Sequence, residues 1–323
     1  MVKKTSENPS LIRVGISSCL LGKRVRFDGG HKRDSYITDT LGPYFEFVPV
    51  CPEIEVGMPV PRESVRLECE ATSPRMIGNK TGADWTERVN RYSHRRVRRP
   101  DLADLSGFVF KSRSPSCGME KVNLYVKSGT VEKKAVGFFA RTLMEQFPHL
   151  PVEEEGRLAD PSLRESFIVR VFAYFRLQQL LRNRFSRGEM VKFHTAHKYL
   201  LLAHSPTHYQ QLGRLVAAIK TTPAAEFKTQ YLALFMSGLK HRSTARKNTN
   251  VLQHILGFLR SHLSAEERKD IISTIDDYHR GLLPLIVPIT MISHFVRKHN
   301  VEYIRDQIYL NPHPKELMLR NHA

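Results

Sequence analysis

Three cysteines in this chain share one kind of neighbourhood. Cys19 lies in Gly-Ile-Ser-Ser-Cys-Leu-Leu-Gly, Cys51 in Pro-Val-Cys-Pro-Glu and Cys117 in Ser-Arg-Ser-Pro-Ser-Cys-Gly. Nearby Gly and Pro suit tight loops whose backbone amides face an anionic ligand. Three converging thiolates can bind a metal. A structural zinc usually wants four ligands, commonly in close pairs, and there is no Cys-x-x-Cys pair here. A [4Fe–4S] cluster held by three cysteines keeps one iron open, and an open iron is a Lewis acid for a soft sulfur atom. Ordinary buried thiols are the remaining alternative, and spacing alone does not choose among these. Cys69, in Arg-Leu-Glu-Cys-Glu, has no Gly or Pro beside it and reads as a bystander.

Convergence requires elements that bring residues 19, 51 and 117 to one place. Leu11–Ser17, Phe45–Val50 and Gly107–Lys111 are short apolar runs with a buried-strand pattern, and each ends just before one of the cysteines. Ala135–Ala140 reads as a fourth strand leading into a short helix at Arg141–Phe147, and Asp84–His94 as a polar helix ending in the basic run Arg95–Arg99. Strands alternating with helices or loops argue for a mainly parallel α/β sheet. In such a sheet the residues just past the strands' carboxyl ends line a shared crevice.

A punctuating stretch follows. Pro148–Pro161 carries three prolines, the acidic run Glu153–Glu155 and Gly156, and reads as a boundary between domains at about 1–150 and 160–323. Beyond it, Phe167, Val171, Tyr174, Phe175 and Leu181 recur at helical steps. Further helical windows follow at Glu189–Ala203, Thr207–Ile219, Ala224–Leu239, Ala245–Leu263, Ala265–Arg280, Leu285–His299 and Val301–Tyr309. Ser264 reads as an N-cap followed by Glu266 and Glu267, and Pro206, Pro223 and Pro284 mark helix starts or breaks. The expected fold is an α/β domain followed by an all-α domain.

Charge separates the halves as well. Residues 1–160 hold 26 Lys and Arg against 21 Asp and Glu, whereas residues 161–323 hold 24 against 11. A basic surface of that size points to a polyanion, nucleic acid before anionic lipid. The hydrophobic fraction of 41% fits a globular chain, and there is no run long enough to span a membrane. Met1–Arg13 lacks a secretory signal and the four cysteines do not form a disulfide framework, so the expected location is the cytoplasm.

Four segments together carry a more specific signal. Ser17–Gly22, Arg26–Lys32 (Arg-Phe-Asp-Gly-Gly-His-Lys), Val50–Arg62 (Val-Cys-Pro-Glu-Ile-Glu-Val-Gly-Met-Pro-Val-Pro-Arg) and Lys111–Gly118 (Lys-Ser-Arg-Ser-Pro-Ser-Cys-Gly) resemble the thiouracil desulfidase family over residues 11–147. The resemblance implies a Rossmann-like domain and a [4Fe–4S] cluster on Cys19, Cys51 and Cys117. It also implies non-redox desulfidation, in which the unligated iron captures the thiocarbonyl sulfur, with catalytic roles for Glu53 and Ser114. The chemistry is consistent: replacing C=S by C=O needs a water, an acceptor for its proton, and a donor to the ring nitrogen or departing sulfur. Read without the family, Glu53 is an ordinary loop carboxylate and Ser114 a turn residue before Pro115. Asp28–Gly30 reads as a tight turn. His31, Lys32, Lys111 and Arg113 are candidate contacts for an anionic group. Glu55 is expected to point away from Glu53, and Asn79, Thr81 and Asp84 form a polar patch of no assigned purpose.

In the second half, Phe193–Ala217 resembles a YbgA-type helical domain, a likeness spanning about 162–315. In that order the two halves resemble fused desulfidases that return 4-thiouridine in transfer RNA to uridine. Lys198, Lys240, Arg242, Arg246 and Lys247, which have aromatic neighbours, are candidate RNA contacts. His194, His197, His204 and His208 have helical metal-ligand spacing, but RNA contact or buried hydrogen bonds explain them more simply. Three functions follow: a desulfidase acting on 4-thiouridine in tRNA, a desulfidase acting on a free thiouracil-type base, or an RNA-binding adaptor whose metal is structural or absent.

Overall fold

The computed structural model describes residues 11–69, 73–126 and 130–321. The polar start of the chain, up to residue 10, lies outside them. The chain forms two compact units, Met1–Ala159 and Asp160–Ala323.

The first unit is built on two four-stranded sheets. In the first, β1 (Ile12–Ser17) lies at the centre and pairs in parallel with β2 (Phe45–Val50) on one side and β5 (Gly107–Phe110) on the other. The short β8 (Val152–Glu154) adds in parallel beyond β5, giving the order β2-β1-β5-β8. Both faces are covered, so the strands are nearly continuous apolar runs: Val14, Ile16, Phe108, Val109 and Phe110 are all buried. The connection leaving β1 runs towards β2, and that leaving β5 runs towards β8. The strand order therefore reverses between β1 and β5, where open α/β sheets place a crevice.

The second sheet is mixed, in the order β4-β3-β6-β7, from β3 (Val65–Cys69), β4 (Pro74–Gly78), β6 (Val122–Val126) and β7 (Val131–Ala135). The helices of this unit are α1 (Pro52–Glu55), α2 (Thr86–Arg96), α3 (Pro100–Ala103) and α4 (Phe138–Gln146).

Three expectations need correcting here. The expected fourth strand at Ala135–Ala140 is instead the end of β7, a break, and the start of α4. Before Ala135, β7 holds an exposed Val131 and the charged run 132–134, so an apolar pattern misses it. The rest of the second sheet is also missed: β3 and β6 alternate apolar and polar residues over only five positions each, too short a pattern to stand out. Pro148–Pro161, read as punctuation, holds β8, whose Glu153 and Glu154 are buried.

The second unit is helical: α5 (Pro161–Asn183), α6 (Arg187–His204), α7 (Pro206–Ala217), α8 (Ala224–Lys240), α9 (Ala245–Leu259), α10 (Ala265–His279), α11 (Ile286–Lys298) and α12 (Glu302–Arg305). Side-chain caps set many of the starts. Asp160 accepts from the amides of Ser162 and Leu163. Ser186, Ser205 and Thr244 cap α6, α7 and α9, and Ser264 forms a reciprocal capping box with Glu267. The long window at Val301–Tyr309 contracts to the single turn of α12. Phe227, Tyr231 and Phe235 stack along α8 in the core of this unit. Among the described residues, no helix is long and apolar enough to cross a membrane.

Candidate active site

The three cysteine-bearing turns lie at the carboxyl end of the parallel sheet. Cys19 sits in the 3-10 turn Ser18–Leu21 after β1, Cys51 is the residue between β2 and α1, and Cys117 ends the loop after β5. All three thiols, with Glu53 and Ser114, line one cavity of about 450 Å³. Val65, Arg66, Asn79, Asn123 and Tyr125 of the second sheet and its loops line the same cavity. All four cysteines are free thiols.

The electrostatics connect the three sulfurs. Burial, then the Glu53 carboxylate, pushes the Cys19 thiol up to about 11 and Cys51 up to about 12. Cys117, fully buried, is also raised, first by burial, then by Glu53 and by the other two thiols. Three neighbouring thiolates beside a carboxylate would be a costly concentration of negative charge, so the ligand that would make them ionise is cationic. Among the described residues, no group of three or more His, Cys, Asp or Glu is arranged to hold a single metal ion.

Glu53 stands at the middle of this arrangement. Its Oε2 is 3.7 Å from Cys51 Sγ, and its Oε1 accepts from the Ser114 hydroxyl at 3.4 Å. Ser114 Oγ in turn accepts the amides of Ser116 at 3.3 Å and Cys117 at 3.1 Å. The serine is thus both a turn cap and a positioning donor.

Glu55, expected to point away, does so with a purpose. One oxygen accepts the Cys51 amide at 3.1 Å, and the other accepts from buried Arg96 at 3.1 Å. Arg96 also grips Asp101 through two bonds of 2.8 Å. The Cys51 turn is therefore tied to α2 through a buried guanidinium.

The Cys117 loop is clamped at both ends by the acidic run first read as a linker. Glu155 pairs with the Lys111 ammonium and accepts the Ser112 amide at 2.7 Å. Glu154 accepts the amides of Met119 at 2.8 Å and Glu120 at 3.3 Å. On a third side, carbonyls of the loop cap the start of α4: Pro115, Ser116 and Gly118 accept from Phe138, Phe139 and Gly137. This docking is close. A Cβ on Gly137 would fall 2.5 Å from the Ser116 carbonyl carbon, and one on Gly118 would fall 2.3 Å from Val122.

Other sequence candidates divide. Lys111 is held by Glu155, and its amide donates to Ser17, whose hydroxyl bonds the Cys117 sulfur. Lys32 and Arg113 line the cavity, and Arg113 adopts a left-handed backbone, φ 59°. Asp28 closes its turn by accepting the Gly30 amide, and His31 Nδ1 accepts the Arg33 amide outside the cavity. Asn79 faces the cavity, whereas Thr81 bonds Glu63 and Asp84 bonds Arg75 and the start of α2. Cys69, at the end of β3, does not line the cavity. Sequence reasoning quotes Ser17, Arg26 and Arg62 within its motifs without giving them a role, and it misses Glu154 and Glu155, and Arg66 and Tyr125 on the cavity wall. An i,i+4 carboxylate after Cys51 was the one local signal, for Glu55.

In the helical unit the four histidines do not gather. His194 meets the Tyr231 hydroxyl, His197 donates to the Phe193 carbonyl, His204 donates to the His241 carbonyl, and His208 meets Ser205. Lys198 donates to the Tyr303 hydroxyl and lies over the Tyr199 and Tyr303 rings. Lys247 caps the carbonyls of His204 and Arg242 at 2.7 and 2.9 Å. Lys240, Arg242 and Arg246 are exposed.

Comparison with known proteins divides the chain at the same place. Residues 14–155 match the family model described as 2-thiouracil desulfurase, and residues 198–314 match a family described as a protein of unknown function, DUF1722. The protein YbgA of Escherichia coli (strain K12) is 32% identical over 158 residues, covering 49% of this chain and 94% of that protein. Among solved structures, a [4Fe–4S]-dependent thiouracil desulfidase, TudS, is 25% identical, covering 48% of this chain and 98% of that one with a TM-score of 0.38. The chain therefore belongs to the YbgA family through its helical half, and joins to it a 2-thiouracil desulfurase domain.

Proposed function

We propose that this protein is an iron–sulfur-dependent desulfidase that converts 4-thiouridine in transfer RNA to uridine without net redox change. The observation that carries the reading is the meeting of three thiols and the Glu53 carboxylate on one cavity at the strand-order reversal of a parallel sheet. The donor set suits a [4Fe–4S] cluster on Cys19, Cys51 and Cys117. The sulfurs come from three separate turns, their burial disfavours free thiolates, and each turn is braced by its own hydrogen bonds. When bound, the cluster supplies an iron with an open position, a Lewis acid for soft sulfur.

The chain's own residues supply the proton chemistry. Glu53 takes a proton from the water that attacks the thiocarbonyl carbon. Ser114 donates to Oε1 and keeps that carboxylate aimed. The balance is C=S plus water giving C=O plus hydrogen sulfide, so the reaction consumes no external electrons. In the helical half, Lys240, Arg242 and Arg246 offer exposed charge to an RNA backbone.

The decisive test is mass analysis of nucleosides from bulk tRNA, with and without anaerobically prepared protein. Loss of 4-thiouridine with gain of uridine supports the proposal. The second reading, a free thiouracil-type base, is favoured by the description of the matching family and predicts turnover of the base with tRNA untouched. A colourless protein, fully folded without iron, would leave the adaptor reading.

A further inference from the structure

A second cavity, of about 500 Å³, lies wholly within the helical unit, between α5, α6, the start of α9 and the end of the chain. Its floor mixes buried polar groups (Glu165, His204, Asn248, Arg320) with the apolar Val169, Leu200 and Leu285, and its rim is exposed. Arg320 (5% exposed) and Glu165 (8% exposed) form an ion pair of 2.9 Å on its wall. Buried ion pairs are weak contributors to stability, so one retained on a cavity wall invites a functional reading. The pair is also incompletely used. Arg320 Nε serves Glu165 and Nη1 serves the Tyr309 carbonyl. Arg320 Nη2 and Glu165 Oε2 take no part in these two bonds.

His204 adds a second acceptor. Its Nδ1 donates to the His241 carbonyl at 2.6 Å, which fixes the tautomer and leaves Nε2 unprotonated. Burial holds this ring neutral. The rim has the opposite character: exposed Arg242 and the N-terminal turn of the fifteen-residue α9, where Thr244 caps the Lys247 amide. Tyr278, also on the wall, is buried, and its hydroxyl accepts from Asn248 at 3.0 Å.

A ligand that satisfies this set carries an anion at one end and a flat polar edge at the other, with two N–H donors and one acceptor. We propose that the cavity binds a guanine ribonucleotide. Its phosphate meets Arg242 and the α9 amides. Its N1–H and N2–H donate to Glu165 and His204, and Arg320 donates to O6 or N7. The same chemistry is offered by a free nucleotide and by one splayed out of an RNA chain.

Equilibrium dialysis of the full chain against GMP, guanosine, AMP and a 5′-phosphorylated guanine-containing RNA trinucleotide tests this. GMP is expected to bind once per chain, and AMP at least about tenfold more weakly. Glu165→Gln should weaken GMP by about tenfold or more. Because that change disturbs a buried pair, Arg242→Ala at the exposed rim is the companion variant. It should weaken GMP and leave guanosine unchanged. Trinucleotide binding tighter than GMP assigns the site to an RNA chain, and equal or weaker binding assigns it to free nucleotide. Absence of saturable binding by GMP and by the trinucleotide overturns the proposal, as does binding that neither variant alters. The measurement needs no turnover, so its failure leaves the desulfidase reading untouched.

Discussion

The Ser114 hydroxyl has one proton, and it points at Glu53: its lone pairs accept the amides of Ser116 and Cys117, and Oε1 lies 3.4 Å away. Glu53→Gln should therefore lower kcat by about 10² to 10⁴ while iron content stays at the wild-type level. Ser114→Ala should lower kcat by about tenfold through a misaimed carboxylate. Single-turnover kinetics beside iron analysis checks both. Wild-type rates in Glu53→Gln would remove it from the reaction.

Cys51 is the most accessible of the three site thiols, being only partly buried, and its turn depends on Glu55. Cys51→Ala should abolish both iron retention and turnover after anaerobic purification. Cys69→Ala should change neither, since it lies outside the cavity. Equal iron in the Cys51 variant would show that another group serves as ligand.

Glu155 fastens the start of the loop that carries Cys117, with its own side chain 13% exposed and that of Lys111 19% exposed. Glu155→Gln leaves the ammonium without its counter-charge and should cost about 2 kcal/mol. Chemical denaturation followed by Trp85 fluorescence reads this in the correct half of the chain, and iron retention should fall in parallel. An unchanged midpoint would make the clamp ornamental.

The helical half should weaken in acid. Burial holds His197 down to about 3 and His204 down to about 4, against an ordinary value of 6.5. Above 6.5 folded and unfolded rings are both neutral, and their full contribution is present. As pH falls from 6.5 towards 4, the unfolded chain takes up protons that the folded rings refuse. Stability is lost in that window, on the order of 2 kcal/mol per ring. Urea midpoints from far-UV circular dichroism at neutral pH and at about pH 5 should show the drop, and equal midpoints would contradict it.

If the basic half holds tRNA, affinity should fall steeply with salt. Lys240→Ala with Arg246→Ala should shallow that dependence by about two phosphate contacts. Lys198→Ala should matter less, because its ammonium is already engaged by Tyr303. Salt-independent binding would argue against a backbone contact.

The strands before Cys19, Cys51 and Cys117 were legible because buried parallel strands are continuous apolar runs, and the helices because their period and caps are local. β7 was not legible, since a polar edge strand carries no hydrophobic pattern. Glu153–Glu155 misled for a related reason. Adjacent carboxylates look like a solvated linker, and nothing local reveals that the partners of Glu154 and Glu155 lie 34 to 44 residues away, at Glu120, Met119 and Lys111. Glu53 and Ser114 are legible only through the family likeness. Their contact spans 61 residues and exists only once β2 and β5 flank β1.

The docking of the Cys117 loop on the start of α4 has a practical corollary. Because Gly118 and Gly137 let main chain meet main chain, the loop's shape is written into the backbone rather than into whatever occupies the crevice. A protein stripped by oxygen would keep the mould for its missing part, and repair becomes refilling rather than refolding.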